Sequence, residues 1–141
     1  MKHFIVKHDL ESFELLPNFI WNTEKSPKSY EQVKIGDRWI AFAYINNERQ
    51  NQSISLITGF YECTNEVLYR DIPLPADKLD GEQKAWMIEG KEYGEQPMQP
   101  VGVRPIKELL GRPTFAQQSL IPIKPEEFEY IQKETLIQEG K

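Results

Sequence analysis

The chain has 141 residues, of which 39% are hydrophobic and 28% charged, and this size and balance are typical of one globular domain spanning residues 1–141. No stretch approaches the roughly 18 apolar residues that a membrane helix needs, and the charged N-terminal region is unlike a signal peptide, so we expect a cytoplasmic protein without membrane contact. The formal net charge of −5 argues against a protein that coats nucleic acid by bulk electrostatics.

The cysteine and histidine content argues against a metal or a disulfide. Cys63 is the single cysteine, so it has no partner within the chain, and together with His3 and His8 it falls short of a zinc ligand set. We therefore expect no metal and no cofactor.

The N-terminal part of the chain predicts a strand, a short helix and a loop. Residues 3–7 form an apolar run with β-branched side chains, and Asp9 is a suitable N-cap for a helix that ends before Pro17. Residues 18–30 show neither a helical nor a strand period, so they are predicted to form a loop.

A β-hairpin is predicted next. In the strand "RWIAFAYI" apolar residues alternate on both faces, which is typical of a central or barrel strand covered on each side. The polar run "NNERQNQ" predicts the hairpin loop, and "SISLITGFYECT" the returning strand, with Gly59 as a bulge or a point of close approach.

The C-terminal half predicts further short strands and two helices. The strands lie in "KAWMIEGKEYG", "MQPVGVRPI" and "QSLIPI", a helical turn ends at Gly111, and Pro125 opens the last helix. The predicted fold class is α+β, a mixed β-barrel of about five to six strands with short flanking helices.

Trp21 stands out because it lies within the predicted polar loop. A base stacked on an aromatic ring gains roughly 1–3 kcal/mol, and its edge needs donors and acceptors, which the neighbouring Asn22 and Thr23 supply. The alternative is that Trp21 packs as core with Phe19 and Ile20.

The order of several motifs resembles EVE domains, which are related to the YTH and ASCH domains of the PUA-like superfamily. The resemblance covers about residues 3 to 132 and rests on "FIVK", "FIWN", "VKIGDRWIAFAY", "ITGFYECT", "AWMIEGKEY", "QPVGVRPI" and "FAQQSLIPIKPEEFEYI". It implies a small PUA/EVE-like barrel that binds a modified base, flipped out of DNA or present in RNA, in an aromatic pocket.

The resemblance to YTH domains also implies site residues. Trp21 would form one wall of the base cage and Trp86 a second, while Asn22 and Thr23 would read the base edge. The end of the first strand would line the pocket with His8 and Asp9, where YTH domains have small polar residues, and this difference leaves the ligand open.

Other candidates come from residue chemistry alone. Phe115 and Gln118 follow a Gly-Arg-Pro loop and could face the barrel mouth, since a Gln amide can pair with an adenine-like edge. Lys25, Lys28 and Arg112 are candidate phosphate contacts, with plain surface charge as the alternative.

The expected partner is a modified nucleic acid, with an effector such as a nuclease acting downstream; the oligomeric state is open. An alternative is an ASCH-like amidohydrolase of a modified nucleoside, using Lys7, Thr23 and either Glu24 or Glu62. The absence of known catalytic motifs favours a binding protein over an enzyme. A protein-interaction module without a ligand is the third alternative.

Overall fold

A computed structural model describes residues 1–23, 25–47, 52–72, 84–113 and 119–139. At residues 9, 11–13, 28, 46–47 and 52–53 it describes the backbone but not the side chain. The described residues form eight strands, three α-helices and one 3₁₀-helix. The strands are β1 (His3–Asp9), β2 (Phe19–Asn22), β3 (Arg38–Asn47), β4 (Gln52–Cys63), β5 (Leu68–Asp71), β6 (Lys84–Glu92), β7 (Val101–Val103) and β8 (Leu120–Ile123). The helices are α1 (Leu10–Leu15), α2 (Ile106–Leu110) and α3 (Pro125–Gln138), and the 3₁₀-helix is Lys28–Gln32.

The strands form one curled sheet in the order β2-β6-β4-β3-β1-β8, with β5 added to β6 and β7 added to β4. The β1–β3 pair is parallel and the other pairs are antiparallel. Within the described residues the edge strands β2 and β8 do not pair with each other, so the sheet is a half-barrel.

The two faces of β3 contribute to different parts of the core, as the alternation predicts. Trp39, Ala41 and Ala43 join one buried cluster, which also holds Phe4, Val6, Ile20 and Ile88. Ile40 and Phe42 join a second cluster, where α3 contributes Phe128 and Ile131. Helix α3 therefore packs against one face of β3, and the curled sheet brings residues of β2 and β6 against its other face.

The expected α+β, barrel-like class agrees with this arrangement, but eight strands are present where about five to six are predicted. The predicted loop over 18–30 is wrong in part, because Phe19–Asn22 form β2. That strand has only four residues, and its pairing with β6 is what holds it extended. A non-local ladder of this kind leaves no period in the local sequence.

Three local predictions are confirmed. Helix α3 begins at Pro125, and Gly111 ends α2 with a left-handed φ of 67°. The β3–β4 register shifts between Ala41 and Phe42, whose partners are Gly59 and Ile57, so the extra residue of the bulge is Thr58, next to Gly59. Gly59 is also a point of close approach, since a Cβ there would lie 2.7 Å from the Tyr61 hydroxyl.

No helix within the described ranges is long and apolar enough to cross a membrane.

Candidate functional site

Strand β6 lies between β2 and β5, and these three strands form a small ladder that carries both candidate tryptophans. Antiparallel partners that lie directly opposite each other place their side chains on the same face. One face, here called the core face, carries Ile20, Asn22, Tyr69, Trp86 and Ile88. The other, here called the second face, carries Phe19, Trp21, Leu68, Ala85 and Met87. The sequence-predicted residues are thus divided between two surfaces.

Trp21 lies on the second face, opposite Met87. Its partly buried ring packs, together with Phe19, against a small cluster of Leu16, Ile72, Ala85 and Met87. Part of the indole is therefore engaged in packing, and part is open to solvent. Thr23 follows the strand and is exposed.

Trp86 lies on the core face, directly between Asn22 of β2 and Tyr69 of β5. Its ring centroid is 5.0 Å from that of Tyr69, at an interplanar angle of 39°. The indole Nε1 is buried and forms no hydrogen bond with any described residue. A buried donor without a partner costs about 1–3 kcal/mol, so an acceptor that reached this N–H would be stabilised.

Asn22 places an amide beside this ring. A carboxamide carries an acceptor and two donors on one planar group, and this pattern can pair with the edge of a base. The core face therefore combines a flat aromatic surface with hydrogen-bonding groups in consecutive strands. The second face, around Trp21, carries Arg70 and Glu89 in place of an amide, and these two side chains are paired with each other at 3.6 Å.

His8 lies on the side of β1 that carries Phe4 and Val6, whose side chains join the cluster that holds Ile20. Its Nε2 is 3.4 Å from the buried Tyr30 hydroxyl oxygen, and the two ring centroids are 6.5 Å apart. The imidazole is thus in contact with the 3₁₀-helix. Asp9 is the last residue of β1, and the structure describes its backbone but not its side chain.

The remaining predicted contacts fall into two groups. Lys25 is exposed, whereas the Arg112 guanidinium donates to Glu127 Oε1 at 3.1 Å and to the Pro122 carbonyl at 3.2 Å, so it ties the segment after α2 to α3 and β8. Phe115, Gln118 and the side chain of Lys28 lie outside the described residues.

Lys7 and Glu62, two described residues of the catalytic alternative, do not converge. Lys7 lies opposite Phe42 of β3, and Glu62 lies opposite Arg38 of the same strand. Phe42 and Arg38 are four residues apart, so Lys7 and Glu62 are separated by about 13 Å along the strand direction. Glu62 is also ion-paired with Arg38 and with Lys91, each at 3.4 Å. Burial lowers the pKa of Lys7, but no described carboxylate of the predicted set is next to it; Glu24 is outside the described residues.

Tyr69 is the neighbour that sequence reasoning misses, together with two basic residues. The Lys84 ammonium lies 6.0 Å from the Tyr69 ring centroid. The Arg70 guanidinium lies 5.4 Å from the Phe19 ring centroid and pairs with Glu89 at 3.6 Å. The run "LYRD" has only four residues and no alternation of apolar and polar side chains, so the sequence predicts neither a strand nor a register there.

A separate groove of about 800 Å³ lies between α3 and the segment after β6. Its walls include Tyr93, Glu95, Glu126, Glu129 and Tyr130. None of the sequence-predicted site residues lines this groove. Within the described residues no three His, Cys, Asp or Glu side chains form a group that could hold a metal ion.

The chain matches no protein-family model, and a search of curated proteins finds no match.

Proposed function

We propose that the protein is an EVE-like module of the PUA-like superfamily that binds a modified or unusual nucleobase in DNA or RNA without chemically converting it. The single observation that carries the proposal is the row formed by Asn22, Trp86 and Tyr69 across three adjacent strands. A base that lies against the Trp86 ring would meet an amide at its edge. Recognition of a modified base requires this combination of a π-face and polar groups.

The arrangement around Trp86 supports the proposal in a second way. Its buried N–H has no partner among the described residues, although buried donors in proteins are nearly always paired. An acceptor atom of the ligand that lies in the plane of the indole would satisfy this donor, whereas a base stacked on the ring face would not reach it. The proposal therefore gives a role to a group that the packing of the described residues leaves unpaired.

Trp21 is the other candidate wall, and the resemblance to YTH domains favours it. Because Trp21 and Trp86 lie on opposite faces of the same ladder, the ring that stacks the base can be identified by substitution. If Trp21 is the wall, Trp21→Ala weakens binding by more than tenfold. If Trp86 is the wall, the larger loss is seen in Trp86→Ala and Asn22→Ala.

The charge of the protein supports modest affinity. Few phosphate contacts release few counterions, so binding by one base pocket should depend only weakly on salt. Selectivity would come from the pocket, and a nuclease or another effector would act on the recognised site.

The test is fluorescence anisotropy with short DNA and RNA oligonucleotides that carry N6-methyladenine, 5-methylcytosine, 5-hydroxymethylcytosine or no modification. The proteins are wild type, Trp21→Ala, Trp86→Ala and Asn22→Ala, with circular dichroism to verify folding. Tyr130→Ala is the matched control, because Tyr130 is an exposed aromatic residue on α3.

We expect wild type to prefer one modified oligonucleotide and the control to bind as wild type does. Preferential binding that is lost in one tryptophan variant would identify the wall. Equal binding of modified and unmodified probes, or no binding, would overturn the proposal. Turnover of acylated nucleosides by wild type would instead favour the amidohydrolase alternative.

A further inference from the structure

Tyr69 gives the proposed base site an exposed second ring. The Tyr69 side chain is 53% exposed, although its ring packs against the partly buried Trp86 with the centroids 5.0 Å apart and the rings tilted by 39°. One side of the tyrosine ring faces the indole, and much of the rest faces solvent. The two rings therefore form a tilted aromatic pair, and its Tyr69 side is accessible.

We infer that Tyr69 stacks a base next to the recognised one, so that the ligand is an unpaired stretch of at least two nucleotides rather than a free nucleoside. This inference rests on the proposed function. A base on the exposed side of Tyr69 would add to the aromatic pair that Tyr69 forms with Trp86. Proteins that bind single strands use aromatic side chains in this way, because every base has a π-face.

The surrounding charges also favour stacking as the main contact with the second nucleotide. Lys84 lies 6.0 Å from the ring centroid of Tyr69, but Asp71 is directly opposite Lys84 in the register. On the other side of β5, Arg70 is paired with Glu89. Positive and negative charges are balanced here, so phosphate attraction is weak and the aromatic surface must supply the contact.

The position of β5 leaves room for such a strand. Among the described residues β5 pairs with β6 alone, and three of its four residues are exposed. Tyr69 is therefore reachable from outside the sheet, whereas Ile20 and Ile88, on the same face, are fully buried. On the core face, the partly buried Trp86 therefore lies between the exposed Tyr69 and the buried Ile20 and Ile88.

The experiment compares each nucleoside with a trinucleotide that carries the same base at its centre. The probes are N6-methyladenosine, 5-methylcytidine and 5-hydroxymethylcytidine and the corresponding trinucleotides, titrated by calorimetry into wild type, Tyr69→Ser and Tyr69→Phe. Tyr130→Ser is the control, since Tyr130 is 50% exposed and lies on α3.

In wild type we expect one trinucleotide to bind about tenfold more tightly than its nucleoside, which corresponds to one stacked base. Tyr69→Ser should lose this advantage, so that its affinities for the trinucleotide and the nucleoside become similar, and Tyr69→Phe and Tyr130→Ser should keep the advantage. At increasing salt the trinucleotide affinity should change little.

Equal affinity of wild type for a nucleoside and its trinucleotide would overturn the inference and leave the proposed base pocket intact. The same would follow if Tyr69→Ser weakened both probes equally. Binding of none of the probes would overturn the proposed function itself, and this inference with it.

Discussion

The side-chain amide of Gln96 pairs with both backbone polar groups of Phe60. Its Oε1 accepts the Phe60 N–H at 2.8 Å, and its Nε2 donates to the Phe60 carbonyl at 2.8 Å. The ladder of β4 with β7 covers residues 55–57 and the ladder with β6 covers 61–63, so Phe60 lies between the two. Gln96 thus takes the place of a strand residue and connects the two ladders.

We therefore expect Gln96→Ala to destabilise the protein by about 1–3 kcal/mol, because it leaves the N–H of the buried Phe60 without its partner, although the Phe60 carbonyl still accepts the Tyr93 N–H at 2.9 Å. Urea denaturation followed by tryptophan fluorescence measures the change. Gln99→Ala, at an exposed position nearby, should have almost no effect. Equal midpoints for the two variants would show that the amide pairing contributes nothing.

Trp39 is a core residue, and its removal should affect stability rather than ligand selectivity. The side chain is fully buried, and its ring centroid is 5.8 Å from that of Tyr61. Trp39→Ala is expected to cost about 3–5 kcal/mol of unfolding free energy. Chemical denaturation gives this value, and binding assays should show that the folded fraction retains the probe preference of wild type. A changed preference would place Trp39 in the site.

Gly90 makes room for Trp39. A Cβ at residue 90 would overlap the Trp39 indole at Cη2 and approach the Glu62 carbonyl. We expect Gly90→Ala to lower the melting temperature clearly, because a packed core accommodates extra volume only with strain. Gly102→Ala is the matched control in another strand, since a Cβ there meets nothing within 4 Å. Similar melting temperatures for the two variants would contradict the close approach.

His3 should make the protein less stable in mild acid. Burial lowers the pKa of its imidazole from 6.5; Arg38 and the N-terminal amine lower it further, and Asp37 and Glu129 oppose the shift. The folded state then binds the proton less well than the unfolded state, so the stabilisation is complete above pH 6.5 and is lost as the pH falls towards the folded pKa.

The measurement is the unfolding free energy of wild type and His3→Gln between pH 5 and pH 8, with the His3 titration followed by NMR. Wild type should lose stability below about pH 6.5 more steeply than His3→Gln does. Parallel pH profiles, or an imidazole that titrates above 6.5, would contradict the prediction.

The parts of the fold that the sequence predicts are those with a local signal. The two apolar faces of β3 and the opening of α3 at Pro125 follow from residue periodicity and proline geometry. Strand β2 does not, since its four residues are held extended by β6 from far along the chain.

The candidate site shows the same difference. Asn22 and Trp86 are both predicted as site residues, and the β2–β6 register places them side by side. The sequence could not tell that Trp21 would point to the other face, because a loop has no alternation and a strand does. Tyr69 was missed because its proximity to Trp86 depends on the pairing of β5 with β6.

The position of β1 also bears on how the chain folds. This first strand lies between β3, with which it runs parallel, and β8, which is contributed by residues 120–123. Contacts between segments so distant in sequence are slow to form, since a long loop must close before they contribute stability. During synthesis β1 therefore keeps one edge unpaired until β8 has emerged, and in that interval the nascent chain presents an apolar edge to chaperones and to other chains.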